Sequence, residues 1–456
     1  MIKGSGMDRA EFVKSNLRGA DLVGRNLSDL NLSGKDLSNA LLTGANFSNA
    51  ILAGADLTDS NLDEANLREA DLSRTVFRKA SLIGACLKGA NLEEANLSLA
   101  NLSRADLSDA NFHAAKLSEA VLIEADLSRS FFQHANMSWA NFVGAKLSGA
   151  DLSGANLEHA NLTEIDLSDA ILSRTDLHNA NLKGVRLCGG NLDRAMLRRA
   201  DLSGADLSGA NLRETNFSQA ILCDSILIRS NLCFAFLGGA DLSRANLTEA
   251  VLEGADFYHV VMIGADLSGT DLSGVHLRRA NLSDSNLSET KLIRSDLREC
   301  QLVRSNLSKA HLVEAHLNNA NLNHANLSGA DLSLTVMRGA DLRGADLLQA
   351  NLVRTDLSEA NLTGSHLGGT NLRGAKLRKA ILVNANLSGV NVRMDDLTGT
   401  DFRGANLRLT NNLSSEQIQT AIIDQKTLLP PNLKITWTSE TSFVCEEIER
   451  KREKND

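Results

Sequence analysis

Aspartate and histidine are the residue types of this chain that could do chemistry, and in one region they alternate at a constant spacing. Asp256, His276, Asp296 and His316 follow one another at intervals of 20 residues. Carboxylates and imidazoles together are a donor set that zinc accepts. The same column also fits a row of solvated acids and bases, and we favour that interpretation because the sequence offers no cleft and no further ligands. We therefore expect no metal site and no cofactor.

The sequence contains no catalytic motif around these residues. It has no glycine-rich phosphate loop, no nucleophile elbow and no zinc signature. Its many aspartates recur as part of a repeat, whereas acid and base catalysis needs two carboxylates selected as a pair. We predict that the chain has no catalytic residues and is not an enzyme.

The cysteines and the hydropathy pattern bear on the compartment. The six cysteines show neither metal-ligand spacing nor an evident pairing, as expected for free thiols in a reducing compartment; they are Cys86, Cys188, Cys223, Cys233, Cys300 and Cys445. The first eleven residues lack the apolar run of a signal peptide, and no segment has the roughly 18 apolar residues of a membrane span. These features favour a cytoplasmic protein without a membrane span.

A repeat of five residues must position all of these side chains. From Phe12 to Leu407 every fifth residue is large and apolar, which gives 80 consecutive centres, 67 of them leucine. The segment Ala150-Asp151-Leu152-Ser153-Gly154 shows the unit: a small residue, Asp or Asn, the apolar centre, and two mainly polar residues. An unbroken repeat of this length indicates one solenoid with no internal linker.

The period of five excludes a helix and a continuous strand. A helix turns about 100° per residue, so centres five apart would be smeared around its surface. In a strand, side chains alternate, so an odd period would send successive leucines to opposite faces. The chain must therefore turn once per pentad. Glycines such as Gly204 and Gly264 mark a corner that needs a positive φ, and we expect the serine after each leucine to satisfy a corner amide.

These residues resemble the pentapeptide repeat family, and the resemblance covers residues 12–410. It implies an all-β fold, a right-handed quadrilateral parallel β-helix of about 20 coils with four pentapeptides each and a short C-terminal helical cap. Stacked at about 4.8 Å, such coils would form a rod of roughly 90 Å. We expect residues 1–11 to be an N-terminal cap segment, residues 12–410 the β-helix, and residues 411–456 a C-terminal cap with a short helix and a charged tail.

Both ends of the repeat carry signals of their own. Ser414 and Gln417 have capping-box spacing and predict a helix over residues 414–424, with Ile418, Ala421 and Ile422 on one face. Trp437 and Phe443 could complete the cover, and a dimer formed through the tail is the alternative. Charges occupy inward positions only near the ends, where we expect looser coils; they are Arg25, Lys35 and Asp395.

Apolar residues at outward positions are the best sequence evidence for a partner. A contiguous apolar patch on a soluble protein indicates an interaction surface, whereas scattered residues need no explanation. Two groups in the repeat are candidates for protein docking; they are Val121, Ile123, Phe131, Trp139, Val143, Ile226, Ile228, Phe234, Phe236 and Tyr258.

Charge separates the possible functions. The net charge is −9, and the acidity is confined to two adjacent faces of the expected coil. Some members of the family mimic DNA and bind a type II topoisomerase, DNA gyrase, which protects it from inhibitors. Here Arg and Lys are interleaved with the acids, and duplex DNA carries one charge per about 1.7 Å. We therefore favour a non-enzymatic scaffold that binds unidentified protein partners, with no direct nucleic-acid binding. The alternatives are a gyrase-directed DNA mimic and a secreted bacterial effector.

Overall fold

The computed structural model describes residues 15–392 and 396–448 of the chain. Contacts divide the chain into two units, one that ends at Phe236 and one that begins at Leu237. The expected cap at residues 1–11, the first centre Phe12, the inward charge Asp395 and residues 449–456 of the tail lie outside the described residues.

Parallel pairing between residues 20 apart builds both units. Four pairs occur in each stretch of 20 residues, one on each side of a coil; in the first coils they join Asp21 to Leu41, Asn26 to Asn46, Asn31 to Ile51, and Asp36 to Asp56. The second unit repeats the pattern, for example in the pairing of Asp256 with His276. The residue just before each apolar centre therefore forms the ladder, and the chain makes a quarter-turn per pentad, as predicted.

A tight turn forms every corner. At nearly all described corners, the amide of the residue three places after the centre donates to the carbonyl of that centre, as in the 3.1 Å bond from Ala20 to Leu17. Every described residue two places after a centre has a positive φ, whether it is Gly19 at 63° or Arg74 at 57°. The residue before it does not have a positive φ. A four-residue turn with a positive φ only at its third residue is a type II turn. The fold thus imposes the corner geometry on non-glycine residues as well.

Where an aspartate or asparagine precedes the centre, its side chain commonly accepts a bond from the corner amide. In one corner, Oδ1 of Asp106 accepts the Ser108 amide at 3.0 Å and the Ser108 hydroxyl at 2.6 Å. The same pair of bonds joins Ser33 to Asn31. Our expectation that the serine itself caps the amide was wrong, because the serine hydroxyl is a second donor to the acidic or amide side chain.

The interior of each unit is a set of apolar ladders. The described centres are buried, and Phe112 and Phe132, which are 20 residues apart, stack with ring centroids 4.6 Å apart. Hydroxyl side chains at the inward small position are also buried and donate to backbone carbonyls, as Thr75 Oγ1 does to Leu52 at 2.8 Å. These bonds remove the cost of burying a hydroxyl group.

Arg25 and Lys35 do not enter this interior. Both are half-buried, whereas Ala40, which occupies the same kind of position, is fully buried. Long basic side chains can cover apolar surface with their methylene groups while the charge stays in water. The first described coils tolerate these residues for that reason.

The second unit ends in a short helix and a hairpin. Helix α1 spans Ser415–Gln419, and Ser414 and Gln417 form the predicted capping box. The helix is shorter than residues 414–424, because Ile422 returns to the ladder and pairs with Asp401. Ile418 is buried as predicted, whereas Ile422 is exposed.

Strands β1, Leu433–Trp437, and β2, Phe443–Glu447, pair antiparallel. Trp437 and Phe443 face each other across the hairpin with ring centroids 5.5 Å apart. Gln419 Nε2 donates to the Phe443 carbonyl at 3.1 Å and ties α1 to β2.

Candidate functional site

Four of the predicted docking residues adjoin on one side of the first unit. Val121 and Ile123 flank the same buried centre, and Val143 occupies the position of Ile123 one coil later. Trp139 lies at the corner that leads into this side and is 60% exposed. We call Val121, Ile123, Trp139 and Val143 the Trp139 patch.

Trp139 is held in place by its neighbour on the next coil. Its indole stacks on the imidazole of His159 with ring centroids 4.0 Å apart and an interplanar angle of 13°. His159 Nε2 lies 3.6 Å from Glu158 Oε1. Stacking on one side leaves the rest of the indole open to solvent, which is the form of an anchor residue at a protein interface.

Sequence reasoning missed one member of this surface. Leu99 occupies the same corner position as Trp139, two coils earlier, with Glu119 between them, and it is exposed. The signal was present in the sequence as a leucine at a corner position, where the repeat places polar residues or glycine.

The other predicted residues of the first unit do not join this patch. Phe131 pairs with Asn111 on a different side of the coil, next to His113 and His134. Ile226 and Ile228 share one side, Phe234 lies at a corner and Phe236 lies on the following side. The guanidinium of Arg213 lies over the Phe234 ring at 6.0 Å. The second predicted group is therefore spread around the coil.

Tyr258 belongs to the second unit, where it has polar neighbours. Its hydroxyl is 3.5 Å from Arg279 Nη1, and its ring meets His259 edge-on with centroids 4.6 Å apart. Arg279 in turn binds Glu299, which also binds Arg278. Tyr258 is thus part of a charged cluster.

Many aspartates that precede the apolar centres are engaged in structural bonds. The hydroxyl of Ser38 donates to Asp36, and with the Ser38 amide it holds the pKa of that carboxyl below its usual value. The Thr398 hydroxyl has the same effect on the pKa of Asp396. Carboxylates that stay ionised near neutral pH are poor general acids.

The column of Asp256, His276, Asp296 and His316 exists as a ladder in the second unit. Asp296 is bound by Arg298 at 2.6 Å, which lowers the pKa of the carboxyl. Among the described residues no group of three His, Cys, Asp or Glu side chains could hold a metal ion. Arg298 therefore takes the place that a cation would need beside Asp296.

The cysteines are all free thiols. Cys300 is buried, donates to the Leu277 carbonyl at 2.7 Å, and has its pKa raised to about 12 by burial. Cys445 is buried as well, in strand β2. Neither thiol has the low pKa of a reactive cysteine.

Comparison with known families decides the classification. The family model described as Pentapeptide repeats (8 copies) matches overlapping segments between residues 26 and 393, which is well over half of the chain. The chain belongs to the pentapeptide repeat family. Pentapeptide repeat proteins fold as right-handed quadrilateral β-helices, which agrees with the four-sided coils observed here.

Several solved pentapeptide repeat proteins are similar to the chain. HetL, involved in heterocyst differentiation regulation in the cyanobacterium Nostoc, is 32% identical to this chain. The match covers 56% of this chain and 94% of HetL, with a TM-score of 0.20. A trypsin-treated form of QnrB1, a plasmid-mediated fluoroquinolone resistance protein, is 22% identical. The match covers 42% of this chain and 91% of QnrB1, with a TM-score of 0.33. A pentapeptide repeat protein of the Arabidopsis thaliana thylakoid lumen is 27% identical. The match covers 34% of this chain and 77% of that protein, with a TM-score of 0.11.

No curated protein matches the chain significantly. In the part of the chain that the structure describes, none of the helices has the length and apolar character needed to cross a membrane.

Proposed function

We propose that this pentapeptide repeat protein is a non-enzymatic, rigid scaffold for protein–protein interaction, and that the Trp139 patch is one docking surface. The observation that carries the proposal is that four apolar side chains adjoin on one side of the first unit. The largest of them, Trp139, is 60% exposed. Trp is enriched among the residues that dominate binding energy at interfaces, where truncation often costs 2 kcal/mol or more, as a rough guide.

The surroundings of the patch support docking of a protein. Glu119 lies at the corner position one coil before Trp139, and Glu124 follows Ile123 at the next corner. An apolar centre with a charged rim is the usual composition of a protein interface. The ladder fixes the spacing of these side chains, so a partner meets a preorganised surface and little side-chain ordering opposes binding.

Two features support a non-enzymatic role. The aspartates are engaged in corner bonds, as in Asp106 with Ser108. The depressions beside Trp139 and beside Asn351 are open to solvent, whereas substrate sites are usually concave and enclose most of a small ligand. Free thiols throughout the chain support a reducing, cytoplasmic location.

The alternative as a DNA-mimicking gyrase inhibitor is less well supported, because many acids are neutralised by neighbouring cations. Asp109 binds Arg129 through two bonds of 2.8 and 3.0 Å, and Asp284 binds Arg304 in the same way. Mimicry of duplex DNA needs a dense row of uncompensated negative charge. A DNA supercoiling assay with purified gyrase separates the two functions: inhibition or quinolone protection at sub-micromolar protein would favour the mimic.

Quantitative affinity capture from the native cell tests the docking surface. We expect Trp139→Ala, combined with Ile123→Ser, to lose specific partners that the wild-type chain retains. Phe131→Ser is the matched control, because Phe131 is an exposed aromatic residue on another side of the same unit. If the patch variant and the control capture the same proteins as the wild type, the Trp139 patch is not a docking surface. Dimerisation through the C-terminal tail is a separate proposal, and light scattering of chains with and without the tail tests it.

A further inference from the structure

A trough crosses one side of the second unit. Its volume is about 850 Å³, and its floor includes Asn351, Val353, Asn371 and Arg373. It lies between two corners: Gln349 stands at the first, and Leu334 and Arg354 stand at the second, all with the positive φ of corner residues.

Glycines open the trough in the next coil. Gly369 and Gly374 replace the corner side chains there. The side chains of Gln349 and Arg354 lie next to these glycines, so an extended chain that crosses the corners would meet the two polar side chains and no others at these positions.

The trough has an excess of hydrogen-bond donors. Arg354 and Arg373 are both exposed, and no ion pair joins either of them to another described residue. None of the described residues that line the trough is acidic. The nearest acid in the ladder, Asp331, already accepts bonds from Asn351 and Ser333.

Arg354 differs from most arginines of its corner column, because neither of its neighbours in that column is acidic. Of the other arginines there, only Arg174, between Gly154 and Arg194, shares this arrangement. Arg194 and Arg294 occupy the same corner column, and each binds a glutamate exactly one coil later, Glu214 or Glu314, at 2.7 Å. In the same column, Gly374 lies one coil after Arg354, and Leu334 lies one coil before Arg354. Glycine thus replaces the glutamate that Arg194 and Arg294 bind, and a carboxylate from another molecule can take that role beside Arg354.

We propose that this trough binds an extended acidic segment of a partner protein. The carboxylates of the segment would bind Arg354 and Arg373, since the guanidinium fork matches a carboxylate bidentately. The exposed side chain of Leu334 and the neighbouring Val353 would contact apolar side chains that alternate with the acids. This inference rests on the proposed scaffold function and names the class of partner that the second unit takes.

Fluorescence polarisation with the full chain tests the proposal. The probe is a short labelled peptide of alternating Glu and Leu, and the comparison peptide has Lys in place of Glu. We expect the Glu peptide to bind and the Lys peptide not to bind. The double variant Arg354→Gln, Arg373→Gln should bind the Glu peptide roughly tenfold more weakly and with less dependence on salt.

A matched variant controls for net charge. Arg174→Gln, Arg198→Gln removes two exposed arginines of the first unit, one of them in the same corner column, and should leave binding of the Glu peptide unchanged. Equal loss in both double variants, or equal binding of the two peptides, would overturn the proposal. Tighter binding of a phosphoserine peptide or duplex DNA, lost in the trough variant, would also overturn it in favour of a phosphate ligand. The variant Arg354→Gln, Arg373→Gln should still capture proteins through the Trp139 patch. A negative result for the trough therefore does not contradict the proposed scaffold function.

Discussion

At the scale of single residues, the aspartate or asparagine that precedes many centres has a structural role. Asp106 holds the amide and the hydroxyl of Ser108, and Asn31 holds the same two groups of Ser33. Asn and Asp share the one property that matters here, an Oδ1 acceptor two residues before the corner amide. This accounts for the interchange of Asp and Asn along the repeat and explains why so many carboxylates do not indicate catalysis.

Asp106→Ala should lower the free energy of unfolding by about 1 to 2 kcal/mol, because it leaves a corner amide and a hydroxyl without their acceptor. Asp106→Asn keeps the acceptor and should cost much less. Urea unfolding followed by circular dichroism measures both. Equal losses for the two variants would show that charge, and not the Oδ1 acceptor, is what the corner requires.

Acid should weaken the fold through the same side chains. The pKa values of Asp36 and Asp396 are lowered by hydroxyl donors, and that of Asp109 is lowered by Arg129. The unfolded chain therefore takes up protons first, at about pH 4. The stability that these bonds contribute is present above that pH and is lost as the pH falls through the folded pKa values. We expect a lower urea midpoint at about pH 3 than at pH 6, and an equal or higher midpoint would contradict this account.

At the scale of the element, the corner is the unit that the repeat preserves. Arg74, Trp139 and Gly204 all adopt a positive φ at the same place, although only glycine does so without a conformational cost. The sequence predicted the corner from its glycines. It could not predict that arginine and tryptophan would take the same conformation, because the ladder bonds on either side override local preference.

Gly204→Ala isolates the conformational cost of a corner. A Cβ at Gly204 would meet nothing within 4 Å, and φ there is +66°. We expect the variant to lose about 1 kcal/mol of unfolding free energy from backbone strain alone. Gly204→Asn should lose less, because asparagine tolerates the left-handed region. If alanine is tolerated as well as asparagine in chemical unfolding, the corner does not impose the strain inferred here.

The C-terminal elements show the limits of local pattern. The capping box of Ser414 and Gln417 was readable from spacing and is present. The end of α1 at Gln419 was not readable, since Ile422 fits the apolar face of a longer helix and also fits the ladder beside Asp401. Ile422 joins the ladder and not a longer helix because it pairs with Asp401 of the last coil. That contact is non-local, so the local sequence pattern does not reveal it.

At the scale of the molecule, the period of five was enough to predict coils with a dry inner side, because neither a helix nor a strand brings every fifth residue to one face. Four sides per coil came from the resemblance to the family. The candidate surface was predictable only in part. Outward apolar residues could be named, but Phe131 and Trp139 fall on different sides, and the opening beside Arg354 depends on which residue lies one coil later.

The neighbour relation between residues 20 apart is the claim on which every surface described above depends, and the native thiol of Cys188 offers a direct test. The amide of Gly189 binds the carbonyl of Ser208 on the next coil, so a cysteine at 208 should lie beside Cys188. Neighbouring ladder positions are about 4.8 Å apart, within the range that a disulfide spans. Mild oxidation of Ser208→Cys followed by peptide mapping should find a disulfide between positions 188 and 208. The control Asp193→Cys, five residues from Cys188 but on the next side of the coil, should form none; a 188–193 disulfide without a 188–208 disulfide would contradict the quarter-turn per pentad.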